Sequence, residues 1–256
     1  MPVTPVDSGT WIRRFHPVPE PAPRLVCFPH AGGSASYFFP VSRALAPRVE
    51  VLAVQYPGRQ DRRTDPLIDD AEQLADRVTA ALGPWTDRPL TFFGHSLGAV
   101  VAFEVARRLQ DAGRPVDGLI ASGRRAPSRF REERVHLGTD AQVRDELSRL
   151  NGTDARVLAD RELLASLLPA VRSDYKAVET YRYRPGPALG CPLLVLTGAD
   201  DPHVTADEAE AWREHTTGPY EVRVYPGGHF FLTTHATAVT ELIAARITRS
   251  ERDNAP

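Results

Sequence analysis

The hydrophobic pattern changes period along the chain, and those changes mark out the elements. Short, near-continuous apolar runs fall at residues 24–29, 50–56, 89–93, 116–122 and 192–198, and a last strand is expected at 220–225. Between them, apolar positions recur at helical spacing. The clearest case is Ala71, Leu74, Ala75, Val78, Ala81 and Leu82; another covers residues 99–109, with no Gly or Pro. Further helices are expected up to about residue 45, over about 206–214, and over about 236–248. Strands without polar alternation must be buried on both faces, and strands alternating with helices predict a mostly parallel central sheet flanked by helices, the α/β class. Right-handed crossovers then gather the C-terminal strand ends on one edge, where ligand chemistry collects in such folds. His30, Gly58, Ser96 and Gly123 each fall just past a strand end and share that rim.

The rhythm breaks twice. Residues 1–23 carry six prolines and read as an extended arm, with residues 11–15 as a short edge strand. From about 124 to 187 no strand is expected. Residues 124–131 are basic and irregular, while 141–150 and 161–183 read as amphipathic helices, the second with Pro169 as a kink point. A helical insertion between two strands of a parallel sheet is where a lid would sit. The expected organisation is one domain over 1–256 with that lid inserted.

Composition narrows the class. A length of 256 residues, 42% hydrophobic and 25% charged residues fit a globular protein with a sizeable core. A net charge of −2 disfavours nucleic-acid binding. Cys27 and Cys191 lie in or beside apolar runs and are expected to be reduced core thiols, and no zinc-type spacing occurs. The N-terminus lacks the basic-then-apolar pattern of a signal peptide, and no apolar run approaches ~18 residues, so a cytoplasmic protein with no membrane span is expected.

Gly94-His95-Ser96-Leu97-Gly98 lies between an expected strand and an expected helix. G-x-S-x-G at a strand–turn–helix junction is the nucleophile elbow: small neighbours let strand and helix approach, and the serine stands above the sheet. Chance alone supplies so short a pattern, so its context decides. A serine hydroxyl needs a base within hydrogen-bond reach, and the base needs an orienting carboxylate. The chain order Ser, acid, His is met by Ser96, then Asp200 or Asp201, then His229. His229 alone of the eight histidines follows a strand, a Gly-Gly turn and the acid. His30 and His95 sit at the same rim and could support the site. Pro202 holds Asp201 extended and favours it over Asp200, whose side chain would point the other way. An oxyanion hole is expected from the Leu97 amide at the helix start and the Ala31 amide in the small-residue loop after the first buried strand.

The stretches Phe28-Pro29-His30-Ala31-Gly32-Gly33, Gln55-Tyr56-Pro57-Gly58-Arg59, Gly94-His95-Ser96-Leu97-Gly98, Ser122-Gly123-Arg124, Arg172-Ser173-Asp174-Tyr175, Gly198-Ala199-Asp200-Asp201-Pro202 and Gly227-Gly228-His229-Phe230 together resemble the type II (editing) thioesterases of polyketide and nonribosomal peptide assembly lines. These are members of the α/β-hydrolase fold. The resemblance spans about residues 24–245. It implies hydrolysis of acyl groups from the phosphopantetheine thiol of acyl or peptidyl carrier proteins, with nucleophile, acid and base at Ser96, Asp201 and His229. It implies no metal and no cofactor beyond the phosphopantetheine of the substrate, and a mobile lid over the acyl chamber. Carrier proteins are usually acidic, which makes Arg124, Arg125, Arg129, Arg131 and Arg134 a candidate docking patch; a solvated arginine-rich loop is the alternative. The alternatives in function are a chain-releasing thioesterase, a general esterase, and a catalytically silent carrier-binding protein.

Overall fold

A computed structural model describes residues 7–19 and 21–253, and all six expected strands form in it. The strands are β1 (Ile12–Arg13), β2 (Arg24–Phe28), β3 (Glu50–Val54), β4 (Leu90–His95), β5 (Gly118–Ser122), β6 (Leu193–Gly198) and β7 (Tyr220–Tyr225). They make one sheet in the order β1-β3-β2-β4-β5-β6-β7, parallel except for β1. Residues 1–6 and 20 of the expected arm lie outside the described residues. Within the arm the edge strand shrinks to Ile12–Arg13, antiparallel to β3, because a helical turn takes up Ser8–Trp11.

The helices are α1 (Ser8–Trp11), α2 (Phe39–Leu45), α3 (Ala71–Leu82), α4 (Leu97–Asp111), α5 (Asp140–Leu150), α6 (Ala155–Ala159), α7 (Arg161–Thr180), α8 (Ala206–Glu210), α9 (Phe231–Thr234) and α10 (Ala236–Asp253). The six periodic residues of α3 are all buried, and the Asp70 side chain caps the helix by accepting from the Gln73 amide at 2.8 Å. The helix expected over 206–214 is α-helical only to Glu210 and tightens to a 3-10 turn over Ala211–His215.

Strand side chains split by parity between two core layers. Val26, Phe28 and Phe92 pack with α3 and α4; Leu25, Cys27 and Phe93 pack with Phe38, Leu45 and Ile243 on the other face. Every residue of β2, β3, β4 and β6 is buried, which is why these strands lack polar alternation. Both cysteines are free and buried, and burial pushes both thiols up, Cys191 to about 12.

Between β5 and β6 the chain is helical. α5 opens on a reciprocal Thr139–Gln142 capping box, and α7 continues through Pro169. The insertion has its own small core of Val143, Leu147, Leu168, Val171 and Tyr175, whereas Ala177 and Val178 at the C-terminal end of α7 belong to the main core. α6 is an element that the apolar pattern did not disclose.

Candidate active site

β4 sits mid-sheet and ends at the elbow. Its register pairs Phe28 with Gly94 and His95 with Ser122, so the ends of β2, β4 and β5 form one ledge. Ser96, between β4 and α4, has φ 55° and ψ −117°, while no residue of either element has positive φ. Such a conformation costs about 1–3 kcal/mol and persists only where the surroundings hold it. Here its N–H donates to the Ser122 carbonyl at 2.8 Å, and its carbonyl accepts from the Ala99 amide at 3.0 Å. The flanking glycines are required by close approach: a Cβ on Gly94 would lie 2.2 Å from the Gly98 oxygen, and one on Gly98 would lie 2.0 Å from the Phe28 oxygen. Leu97 opens α4, so its N–H has no partner inside the helix and points from the positive end of the dipole.

His229 Nδ1 lies 2.9 Å from Asp201 Oδ2, with both side chains buried. The remaining Asp201 oxygen accepts the His203 backbone N–H at 2.9 Å. Asp200 is exposed, so the structure brings Asp201 and not its neighbour to His229. Burial, opposed by Asp201, lowers the His229 pKa and leaves its ring neutral near neutrality. His30 and His95 pack around it: the His95 ring centroid lies 4.9 Å from that of His229 and 5.9 Å from that of His30. Burial holds both of these rings neutral, with His30 near 3. His95 Nδ1 lies 3.0 Å from Ser122 Oγ. They serve the site as uncharged packing.

Ser96, Ala31, His229 and Phe230 line a cavity roofed by Leu147, Leu150 and Gly152 of the insertion. Its free volume is about 30 Å³, little more than a water or two at ~10–15 Å³ each. Phe230 fills space directly under Gly152, where a Cβ would come within 2.0 Å of its ring.

Sequence reasoning did not assign the residues that hold the Ala31 loop. Asp174 Oδ2 on α7 accepts the Gly32 amide at 2.7 Å and pairs with the buried Arg59. Arg59 in turn donates to the Gly33 carbonyl at 3.2 Å and the Pro57 carbonyl at 2.5 Å. Three of the recognised stretches thus meet in one clamp beside Ala31. Their proximity is long-range, and an unexplained Arg and Asp within those stretches were the only available signal.

The structure ties the arginine-rich loop to the protein's own acceptors. Arg124 and Arg125 are buried. Arg125 forks onto Glu133, and Arg124 donates to the Val178 carbonyl at 3.3 Å. Arg129 pairs with Glu214, Arg131 with both oxygens of Glu208 at 2.8 Å, and Arg134 with Glu132. Four carboxylates, Glu132, Glu133, Glu208 and Glu214, thus pair with the five arginines, and the two cations nearest the site are buried rather than presented to solvent. Among the described residues, no group of three His, Cys, Asp or Glu could hold a metal ion, and no helix is long and apolar enough to cross a membrane.

A doubly covered parallel sheet with a strained serine between β4 and α4 is the architecture of an α/β hydrolase. Within that class the chain belongs to the thioesterase family, whose thioesterase-domain model matches residues 23–247. It is therefore an enzyme acting on thioesters. It is 55% identical over 245 residues to a probable cadicidin biosynthesis thioesterase of Streptomyces griseus, covering 95% of this chain and 68% of that one. It is 56% identical over 229 residues to thioesterase PikA5 of Streptomyces venezuelae, covering 89% and 82%. The solved type II thioesterase BorB of the borrelidin biosynthetic cluster superposes with a TM-score of 0.89 at 50% identity, covering 93% of this chain and 98% of that one. The resemblance read from the seven stretches is thereby borne out.

Proposed function

We propose that this chain is a housekeeping thioesterase that strips aberrant or stalled acyl groups from the phosphopantetheine thiol of acyl or peptidyl carrier domains. Its relatives' names carry the association with polyketide and nonribosomal peptide assembly. The observation that carries the chemistry is the buried Asp201–His229 hydrogen bond, with His229 and Ser96 lining one cavity.

In this reading the neutral His229 takes the Ser96 proton through Nε2 while Asp201 fixes its tautomer and steadies the cation formed. Ser96 Oγ attacks the thioester carbonyl. The Leu97 and Ala31 amides hold the oxyanion, and the Asp174–Arg59 clamp keeps the Ala31 loop in place. Collapse expels the pantetheine thiolate, which takes the proton from His229. Water, deprotonated by His229, then attacks the acyl-serine and releases the acid. The residues at about 124–187 act as a lid within one hydrolase domain.

Turnover of a short-acyl carrier protein by wild type and by Ser96→Ala tests this. Wild type should release free acid and holo-carrier, and Ser96→Ala should release neither. Hydrolysis retained in a clean Ser96→Ala preparation would overturn the assignment. Faster turnover of oxygen esters than of carrier thioesters would favour a general esterase, and a cyclised product would favour a chain-releasing enzyme.

A further inference from the structure

His203 follows the catalytic acid by two residues and faces the lid. Its N–H holds Asp201 Oδ1, and its ring centroid lies 5.2 Å from that of His229. Both ring nitrogens meet carboxylates. Nδ1 is 3.3 Å from Glu133 Oε1, and Nε2 is 3.0 Å from Glu146 Oε1 on α5. Arg149, also on α5, braces Glu146 at 2.8 Å and comes within 3.5 Å of Nε2. Arg125 grips Glu133 and reaches the His203 carbonyl at 3.4 Å.

Among the described residues, no other side-chain hydrogen bond of α5 or α6 reaches the sheet or its rim loops. The apolar side of α5 packs into the lid's own core, with Ala31 the sheet-edge residue packed against it. Closure over Ser96 therefore depends on few contacts, and the pantetheine arm cannot share a free volume of about 30 Å³ with the closed lid.

A neutral imidazole has one N–H, so one of its nitrogens would present a lone pair to a carboxylate. Only the cation satisfies Glu133 and Glu146 together. We propose that His203 is a positioning residue that latches α5 over Ser96 through this pair of carboxylate bonds, and that loss of its ring proton releases the lid to admit the pantetheine arm. This rests on the reading of Ser96 as nucleophile and α5 as lid. Burial opposes the charge on His203, but the bonds to Glu133 and Glu146 outweigh it and hold its pKa above the ordinary imidazole value. A raised folded-state pKa means the latch is complete at low pH and is lost as pH rises through that value. The groups facing His203 are Glu133, Glu146, Arg149, Arg125, Asp201 and His229; the last two belong to the site that every substrate shares.

Two acetyl thioesters that differ only in thiol length isolate the latch: acetyl-N-acetylcysteamine and acetyl-pantetheine. The ratio of their kcat/KM values, long over short, cancels the chemistry of His229 and Ser96. In wild type this ratio should rise by up to about tenfold between about pH 6 and 8.5. Glu146→Ala should give a high ratio at every pH. Glu146→Gln should give a low, flat ratio, because an amide can donate to the neutral ring where a carboxylate cannot. A wild-type ratio in Glu146→Ala, or a wild-type pH dependence in Glu146→Gln, would overturn the proposal. Hydrogen exchange over 140–150, corrected for intrinsic rate, reads the lid without Ser96. Protection lost with rising pH in wild type but not in Glu146→Gln supports the latch even if Ser96 proves inert, and equal protection in both refutes it.

Discussion

Asp174→Ala removes one partner of a buried ion pair and should be severe. The Asp174 side chain is 1% exposed and that of Arg59 5%, so neither charge is solvated once its partner is gone. The same substitution takes the acceptor from the Gly32 amide. Breaking a buried pair from one side costs about 3–5 kcal/mol, because the surviving charge stays buried and uncompensated. Since one oxygen serves both contacts, the two losses overlap rather than add. At about 2–4 °C per kcal/mol for a chain of this size, the melting temperature should fall by about 6–20 °C. Asp174→Asn retains an acceptor for Gly32 and should lose less. The double variant Asp174→Leu/Arg59→Met removes both charges and should recover more than half of the loss. Equilibrium urea unfolding and calorimetry measure all three. A loss below about 1 kcal/mol for Asp174→Ala would refute the clamp as described, since only a solvated pair is worth so little. Activity adds a second reading: the Ala31 loop should loosen, so kcat should fall more than KM rises in whatever fraction remains folded.

Three further outcomes follow from the site. The acidic limb of kcat/KM, followed across pH 4–8, should fall below about 6.5, the ordinary imidazole value, because burial lowers the His229 pKa and activity is lost as pH drops through it. Asp201→Asn should cut kcat by roughly 10⁴-fold through the wrong imidazole tautomer, while Asp200→Asn, altering an exposed side chain, should stay within about threefold in the same steady-state assay. Gly98→Ala places a methyl 2.0 Å from the Phe28 carbonyl and should abolish soluble expression or activity; a folded, fully active variant would show that β2 and α4 do not approach as described.

Most of the fold was legible because its signals are local. Strands buried on both faces read as unbroken apolar runs, and the six buried positions of α3 keep their helical spacing. The elbow was legible for the same reason, since five consecutive residues carry it. Pro202 favoured Asp201 over Asp200 through a backbone constraint one residue away, and the family resemblance pointed the same way. What stayed hidden depends on distant partners. A string of arginines gives no sign that Glu133, Glu208 and Glu214 will neutralise it, nor that Arg124 and Arg125 will be buried. Arg59, Asp174 and Gly32 come from three separate elements, and only the closed fold joins them. His203 looked like one histidine near a helix end; its meaning depends on the position of α5. The 3-10 turn over Ala211–His215 escaped because its apolar spacing also suits an α-helix.

The central claim is that acyl groups pass through Ser96. Rapid-quench peptide mass spectrometry of the enzyme mixed with a short-acyl carrier protein tests it most directly. The acyl mass should appear transiently on the peptide bearing Ser96, be absent in Ser96→Ala, and persist longer in His229→Ala if any forms. Full hydrolysis of the carrier thioester with no acyl mass on that peptide at any time, or with the mass on another residue, would contradict it.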